Sequence, residues 1–146
     1  MNQIQYELLN YFFMSLLLTS PIFAGGQEAT QAEFANIINQ ARVNVGVEEL
    51  LNKNELICTA QHHAQDIGGK HLCQVNPSDG STPWDVATKC GTVANGLVIG
   101  CGYQNPATTV QGWLGRQDTK DVLLNPAYKY FGVGMVNNFW VIYLSW

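Results

Sequence analysis

Apolar residues behind Thr30 recur at helical spacing: Phe34, Ile37, Ile38, Ala41 and Val45 share one face, and Gly46 ends the run. Thr30-Gln31-Ala32-Glu33 has the form of a capping box, in which a Thr hydroxyl takes the N3 amide while Glu33 reaches back. The pattern predicts an amphipathic first helix opening there. A second helix is predicted from near Asn54, with Leu56, Ala60, His63, Ala64 and Ile67 on one face and Gly68-Gly69 as its stop. Thr82-Pro83 marks a short third helix, Thr82 capping and Pro83 at the first helical position, where a missing N–H costs nothing. It closes at Cys90-Gly91. Asn105-Pro106 repeats the device and opens a fourth helix carrying Val110, Trp113 and Leu114. Val93 to Cys101, Val133 to Val136 and Phe139 to Leu144 read as strands, with Asn137-Asn138 as a hairpin turn between the last two. Interleaved helices and a terminal hairpin point to α+β layers with an at least partly antiparallel sheet.

Tyr11 to Ala24 is a separate case, an apolar stretch ending in Ser20-Pro21-Ile22-Phe23-Ala24-Gly25. A short apolar core followed by a small residue is the layout of a secretory signal peptide, and the stretch is short for a bilayer span of about 20 residues. The region before it carries Glu7 and no Lys or Arg. Residues 1–24 are read as the signal peptide, 25–35 as a lead-in and 36–146 as one domain, placing the mature chain in a secreted or periplasmic setting without a transmembrane span.

Composition narrows the function. Of 146 residues, 12% are charged, and the net charge is −4 with both signs scattered. No basic stripe exists to neutralise a run of phosphates, so nucleic acid is not an expected partner. Cys58, Cys73, Cys90 and Cys101 form an even set, as a disulfide framework in an oxidising compartment requires. Zinc is the rival use of these cysteines, weakened by the absence of a C-x-x-C knuckle. Cys58 lies early in the second helix and Cys73 beyond its end, so at about 1.5 Å per residue Cys58–Cys73 is the disfavoured pairing. The other pairings stay open.

Several segments together resemble the CAP/SCP superfamily of cysteine-rich secretory proteins, venom allergens and plant pathogenesis-related proteins, in its short bacterial form. Asn39-Gln40-Ala41-Arg42 with Gly46-Val47 is similar to the opening N-x-x-R and G-[LV] stretch. Ala60 to Ile67 resembles the A-Q-x-H-A-x-[DE]-M helix, and His71 followed by Ser78-Asp79-Gly80-Ser81-Thr82-Pro83-Trp84-Asp85 resembles H…S-D-G-S-T-P-[FW]-[DE]. Val110 to Leu114, Leu124-Asn125-Pro126, Gly132-Val133-Gly134 and the Trp140-to-Tyr143 strand complete the pattern in order. The resemblance implies an α-β-α sandwich with a central, mainly antiparallel sheet between helical layers.

It also implies a cavity holding two His and one or two acids, which in several members bind zinc or another divalent ion. His71 aligns with the first His. A gapless count back from Trp113 puts Leu97 in the place of the strand acid and Val98 in that of its neighbouring Asn. Thr119 stands at the second His, Lys120 replaces the adjoining Arg, and Arg116 falls near a position that is acidic in some members. One imidazole with an aliphatic side chain, a hydroxyl and a cation is a poor divalent site, so no metal or other cofactor is expected.

Other groups have plainer readings beside the chemical ones. His71 is weighed as a residual ligand or base against a polar residue at the helix exit, His63 as a core histidine, and His62 as solvated. A Cys73 nucleophile activated by His71 competes with a disulfide, and a serine hydrolase built on Ser78, Ser81 and Asp79 competes with a simple turn. Trp113 and Trp140 read as core, whereas Trp84 and Tyr103, near turns, are candidate ligand contacts. The preferred function is non-catalytic binding of a lipid or sterol, a cell-wall component or an extracellular protein through a degenerate cleft lined by His71, Leu97, Arg116 and Thr119. A divergent metal-dependent hydrolase using His71 and a purely structural disulfide-stabilised domain are the alternatives.

Overall fold

The structure, a computed structural model, describes the backbone from residue 21 and side chains from residue 29 to the C-terminus. Most of the signal-peptide reading, residues 1–20, therefore lies outside the described residues. The compact unit is Gln31–Trp146. In chain order the elements are α1 (Pro21–Asn44), β1 (Leu51–Asn52), α2 (Asn54–Gly69), α3 (Pro83–Lys89), β2 (Gly96–Cys101), α4 (Pro106–Leu114), α5 (Gln117–Leu123), β3 (Tyr130–Val136) and β4 (Phe139–Ser145). No helix among the described residues is long and apolar enough to cross a membrane.

The sheet has the order β1-β3-β4-β2. β4 is antiparallel to both β3 and β2, while the two-residue β1 runs parallel to β3, so the sheet is mixed. Alternation along each strand divides the core into two layers. Phe131, Val133, Trp140, Ile142 and Leu144 face Phe34 and Ile38 of α1, Trp113 of α4 and Leu123 of α5. Val141 and Tyr143 face the opposite way, onto Leu56, Ala60, Ala64 and Ile67 of α2 and Ala87 of α3. This is the α-β-α sandwich that the motifs imply.

Local chemistry explains the element ends. Thr82 Oγ1 accepts from the Asp85 amide at 3.2 Å and Asp85 Oδ2 accepts from the Thr82 amide at 2.8 Å, a complete capping box. Asn105 Oδ1 accepts from the Thr108 amide at 2.9 Å ahead of Pro106. Asn137 and Asn138 both take positive φ (53° and 64°), as a tight primed hairpin turn demands. One expected boundary fails. α1 begins at Pro21, so the Thr30–Glu33 box lies inside the helix; Gln27, Glu28 and Ala29 favour helix ahead of it. β2 likewise starts at Gly96, and Val93 stays exposed in the preceding loop.

Side chains stand in for a missing strand. β1 serves only Tyr130 and Phe131 of β3. Beyond it, buried Gln31 donates to the Val133 carbonyl at 2.7 Å and accepts from the Val133 amide at 2.9 Å. Asn39 holds Leu50 in the same way, donating to its carbonyl at 3.0 Å and accepting from its amide at 2.7 Å. Each amide satisfies one otherwise orphaned backbone pair.

Candidate functional site

The disulfides are Cys58–Cys90 and Cys73–Cys101. The first ties α2 to the end of α3. The second ties the chain leaving α2 to the end of β2, and so forms one wall of a cleft along the outer strand. That cleft encloses about 400 Å³ between β2, residues 73–75 and α5. Leu97, Val98, Ile99, Val75 and Val122 give it apolar walls, and Arg116, Asp118 and Thr119 give it a polar rim.

The structure thus brings Leu97, Arg116 and Thr119 together. His71 is not part of the lining. It sits in the turn leaving α2 with φ 53°, exposed, its ring edge-on to Phe139 at 6.0 Å. Nor are the rim groups available as metal donors. The Thr119 hydroxyl donates to the carbonyls of Trp113 and Arg116. The Arg116 guanidinium donates to Asp118 Oδ2 at 2.9 Å, and this partner raises its already high pKa, keeping it cationic. A divalent ion here would meet aliphatic carbon, a committed hydroxyl, one carboxylate already paired and a positive charge. The residues do not fit the metal that the cavity of related proteins holds.

A second hollow, of about 410 Å³, lies between α2, the 77–81 turn and α3. Its lining includes Cys58, His62, Asp66, Ser78, Asp79 and Lys89. Ser78 donates to Asp66 through its hydroxyl (2.5 Å) and its amide (2.7 Å), and Ser81 donates to Asp79 through its hydroxyl (2.6 Å) and its amide (2.9 Å). Burial pushes the Asp66 carboxyl up, but the Ser78 bonds and the Lys70 ammonium outweigh it, so its pKa falls below the ordinary value. A carboxylate held ionised is a weak base, and the serines are turn formers here, not nucleophiles.

His63 is buried beneath this hollow. Its Nδ1 lies 2.7 Å from the Tyr143 hydroxyl, which is also 3.2 Å from the Pro83 carbonyl. Its Nε2 is buried without a hydrogen-bond partner among the described residues. Burial lowers the imidazole pKa below 6.5, against the opposing pull of Asp66. The sign follows: above 6.5 both states are neutral, and as pH falls through that value the unfolded chain takes a proton that the folded chain resists. Asp66 adds a second loss below 3.8, where the unfolded carboxyl protonates before the folded one. Urea unfolding followed from pH 8 down to about pH 4 is expected to show falling stability from about pH 6.5, a slope absent from His63→Gln; a flat profile in the parent protein contradicts this.

Of the two aromatic contact candidates, Trp84 is 46% exposed near the start of α3. Tyr103 is only partly open, its ring wedged against Gly100 and Gly112 and its carbonyl accepting from Trp140 Nε1 at 2.7 Å. Trp113 and Trp140 fill the core.

The family model for CAP, the cysteine-rich secretory protein family, matches residues 35–143. The chain belongs to the CAP family. An extracellular SCP-domain protein of Bacillus anthracis superposes with a TM-score of 0.76 at 18% identity, over 81% of this chain and 40% of that one. An outer surface protein of Borrelia burgdorferi gives 0.70 at 18% identity, over 82% and 94%. A cysteine-rich secretory protein of Staphylococcus aureus gives 0.66 at 15%, over 81% and 38%. The CAP chain thus spans well under half of the Bacillus and Staphylococcus proteins. No curated protein matches it.

The family motifs acquire physical roles in this CAP domain. Asn39 and Arg42 hold distant backbone, His63 pairs with Tyr143 across the α2–sheet interface, and Gly132 and Gly134 lie against the backbone of α2.

Proposed function

We propose that this CAP domain works outside the cytoplasm as a non-catalytic binding module, and that the β2–α5 cleft takes an amphipathic, lipid-like ligand. One observation carries the reading: the cleft joins apolar walls from Leu97, Ile99, Val75 and Val122 to a single rim ion pair, Arg116–Asp118. An acyl chain would find apolar surface along β2, and a polar head would find Arg116 at the opening. The non-catalytic reading is supported by the commitment of the Thr119 hydroxyl to backbone carbonyls and of the Asp118 carboxylate to Arg116. Export is supported by the two disulfides, by the family's secretory character, and by the extracellular and outer-surface settings named for the Bacillus and Borrelia proteins.

A fluorescent long-chain acyl probe titrated into the full oxidised chain tests this. Binding is expected to weaken at least about ten-fold in Leu97→Gln, which places an amide that the cleft cannot satisfy against the probe, and to be unchanged in Trp84→Ala. Unfolding midpoints of both variants serve as the control for folding. Probe binding indifferent to Leu97, or displaced by a soluble cell-wall glycan rather than a fatty acid, would move the ligand out of the lipid class.

A further inference from the structure

The hollow beside α2 contains an arrangement that the binding reading does not use. Cys58 and His62 stand four residues apart on α2, a spacing that puts both side chains on one helical stripe. Cys90, the C-cap of α3, completes the group. The two sulfurs and one ring nitrogen of His62 all lie within 4.8 Å of one another. Tetrahedral zinc, with bonds of about 2.3 Å to sulfur and 2.0–2.1 Å to nitrogen, needs its donors roughly 3.5–3.8 Å apart. Releasing the two sulfurs from each other and turning one exposed imidazole spans the difference. Among the described residues no other such group of His, Cys and carboxylate donors occurs, and the Cys73–Cys101 bridge has no histidine placed this way.

We propose that the Cys58–Cys90 bridge is a redox-gated metal site: reduced by a dithiol, the two cysteines and His62 bind zinc. The dithiol donates two electrons and two protons, becomes a disulfide itself, and leaves Cys58 and Cys90 as thiols. Coordination then releases both thiol protons and gives a neutral pair of thiolates with Zn²⁺, with His62 as the neutral third ligand. Water entering from the adjoining hollow of about 410 Å³ can fill the fourth position. Lys89 and Lys70 line the same hollow and favour the thiolates, while Asp66, paired with Lys70, and Asp79 hold the local charge in balance. In the oxidised chain the sulfurs are committed to each other, so the site exists only after reduction.

The test uses the full chain, reduced with a dithiol that is then removed without air, and titrated with Co²⁺ followed by Zn²⁺. A one-to-one thiolate-to-cobalt charge-transfer band, displaced by zinc and absent from the oxidised chain, is the expected result. His62→Ala, a change at an exposed position, should weaken binding at least ten-fold, and Cys73→Ser/Cys101→Ser should keep the band. Zinc should also raise the thermal midpoint of the reduced chain. The proposal is overturned if no band appears, if the band ignores His62 or requires Cys73 and Cys101, or if zinc leaves the midpoint unchanged or lower, as binding to unfolded chain would.

Discussion

Arg42→Met is expected to remove about 1–3 kcal/mol of stability or more, the range for leaving a buried hydrogen-bond acceptor without its donor. Arg42 is fully buried, and its guanidinium is shared among four backbone carbonyls. Nε donates to Glu48 at 2.7 Å, Nη1 to Leu123 at 2.7 Å and to Asn125 at 3.0 Å, and Nη2 to Tyr128 at 3.0 Å. Those acceptors belong to the chain after α1, to the last residue of α5 and to the turn that follows it, so one side chain closes these segments against α1. Burial lowers the Arg42 pKa, but the guanidinium stays charged at neutral pH, and the carbonyl dipoles supply the compensation. Methionine keeps much of the volume and leaves the carbonyls without donors. Lysine restores the charge without the planar fork and should recover little of the loss. Urea unfolding of the three proteins is the check, and a loss under about 1 kcal/mol for Arg42→Met would place the site within ordinary surface substitutions.

Gly134→Ala is the second large effect. A Cβ at Gly134 would sit 2.5 Å from the carbonyl carbon and oxygen of Ala60 and from the Gln61 amide nitrogen, all of them helix backbone. Gly132 meets the backbone of Leu56 and Ile57 one turn earlier. No side chain can swing aside, so α2 must lift from β3 along its length. Overpacking of this kind costs about 1–3 kcal/mol or more, against about 0.4–1 kcal/mol gained from a stiffer unfolded chain. A net loss near 2 kcal/mol is expected in Gly134→Ala, larger in Gly132→Ala/Gly134→Ala, with a lower thermal midpoint in both. A neutral result would mean that helix and strand are less tightly apposed than the structure has them.

These two sites show which features the sequence makes legible. Elements announced by local chemistry are readable because a few neighbouring residues decide them: Thr82-Pro83 and Asn105-Pro106 start helices, and Asn137-Asn138 turns the last hairpin. α5 carries no such signal, since Arg116 gives it no side-chain cap and only Leu123 of its residues is buried. β1 is two residues long and is defined by Tyr130 and Phe131 far along the chain, which no local pattern reveals. Thr30 misleads for the opposite reason: a capping pattern marks a helix start only where the preceding residues leave the helix, and here α1 begins at Pro21. At the cleft, the family register brings Leu97, Arg116 and Thr119 to one place, but the turn that gives His71 its positive φ is invisible in the alignment and leaves it outside. His62 reads as a solvated residue. It is exposed, but its position beside Cys58–Cys90 depends on a pairing that spacing leaves open.

This CAP domain keeps the family fold, and the reading proposed for its cleft is that Leu97, Thr119 and Arg116 leave it without a metal-ligand set. Zinc titrated by calorimetry into the oxidised full chain, with His71→Ala alongside, tests it most directly. No binding, or equally weak binding to both proteins, is expected, because Leu97, Thr119 and Arg116 supply no ligand set. Tight one-to-one binding kept in His71→Ala would place an ion in the cleft and contradict this reading, whereas loss in that variant would place the ion at the turn leaving α2.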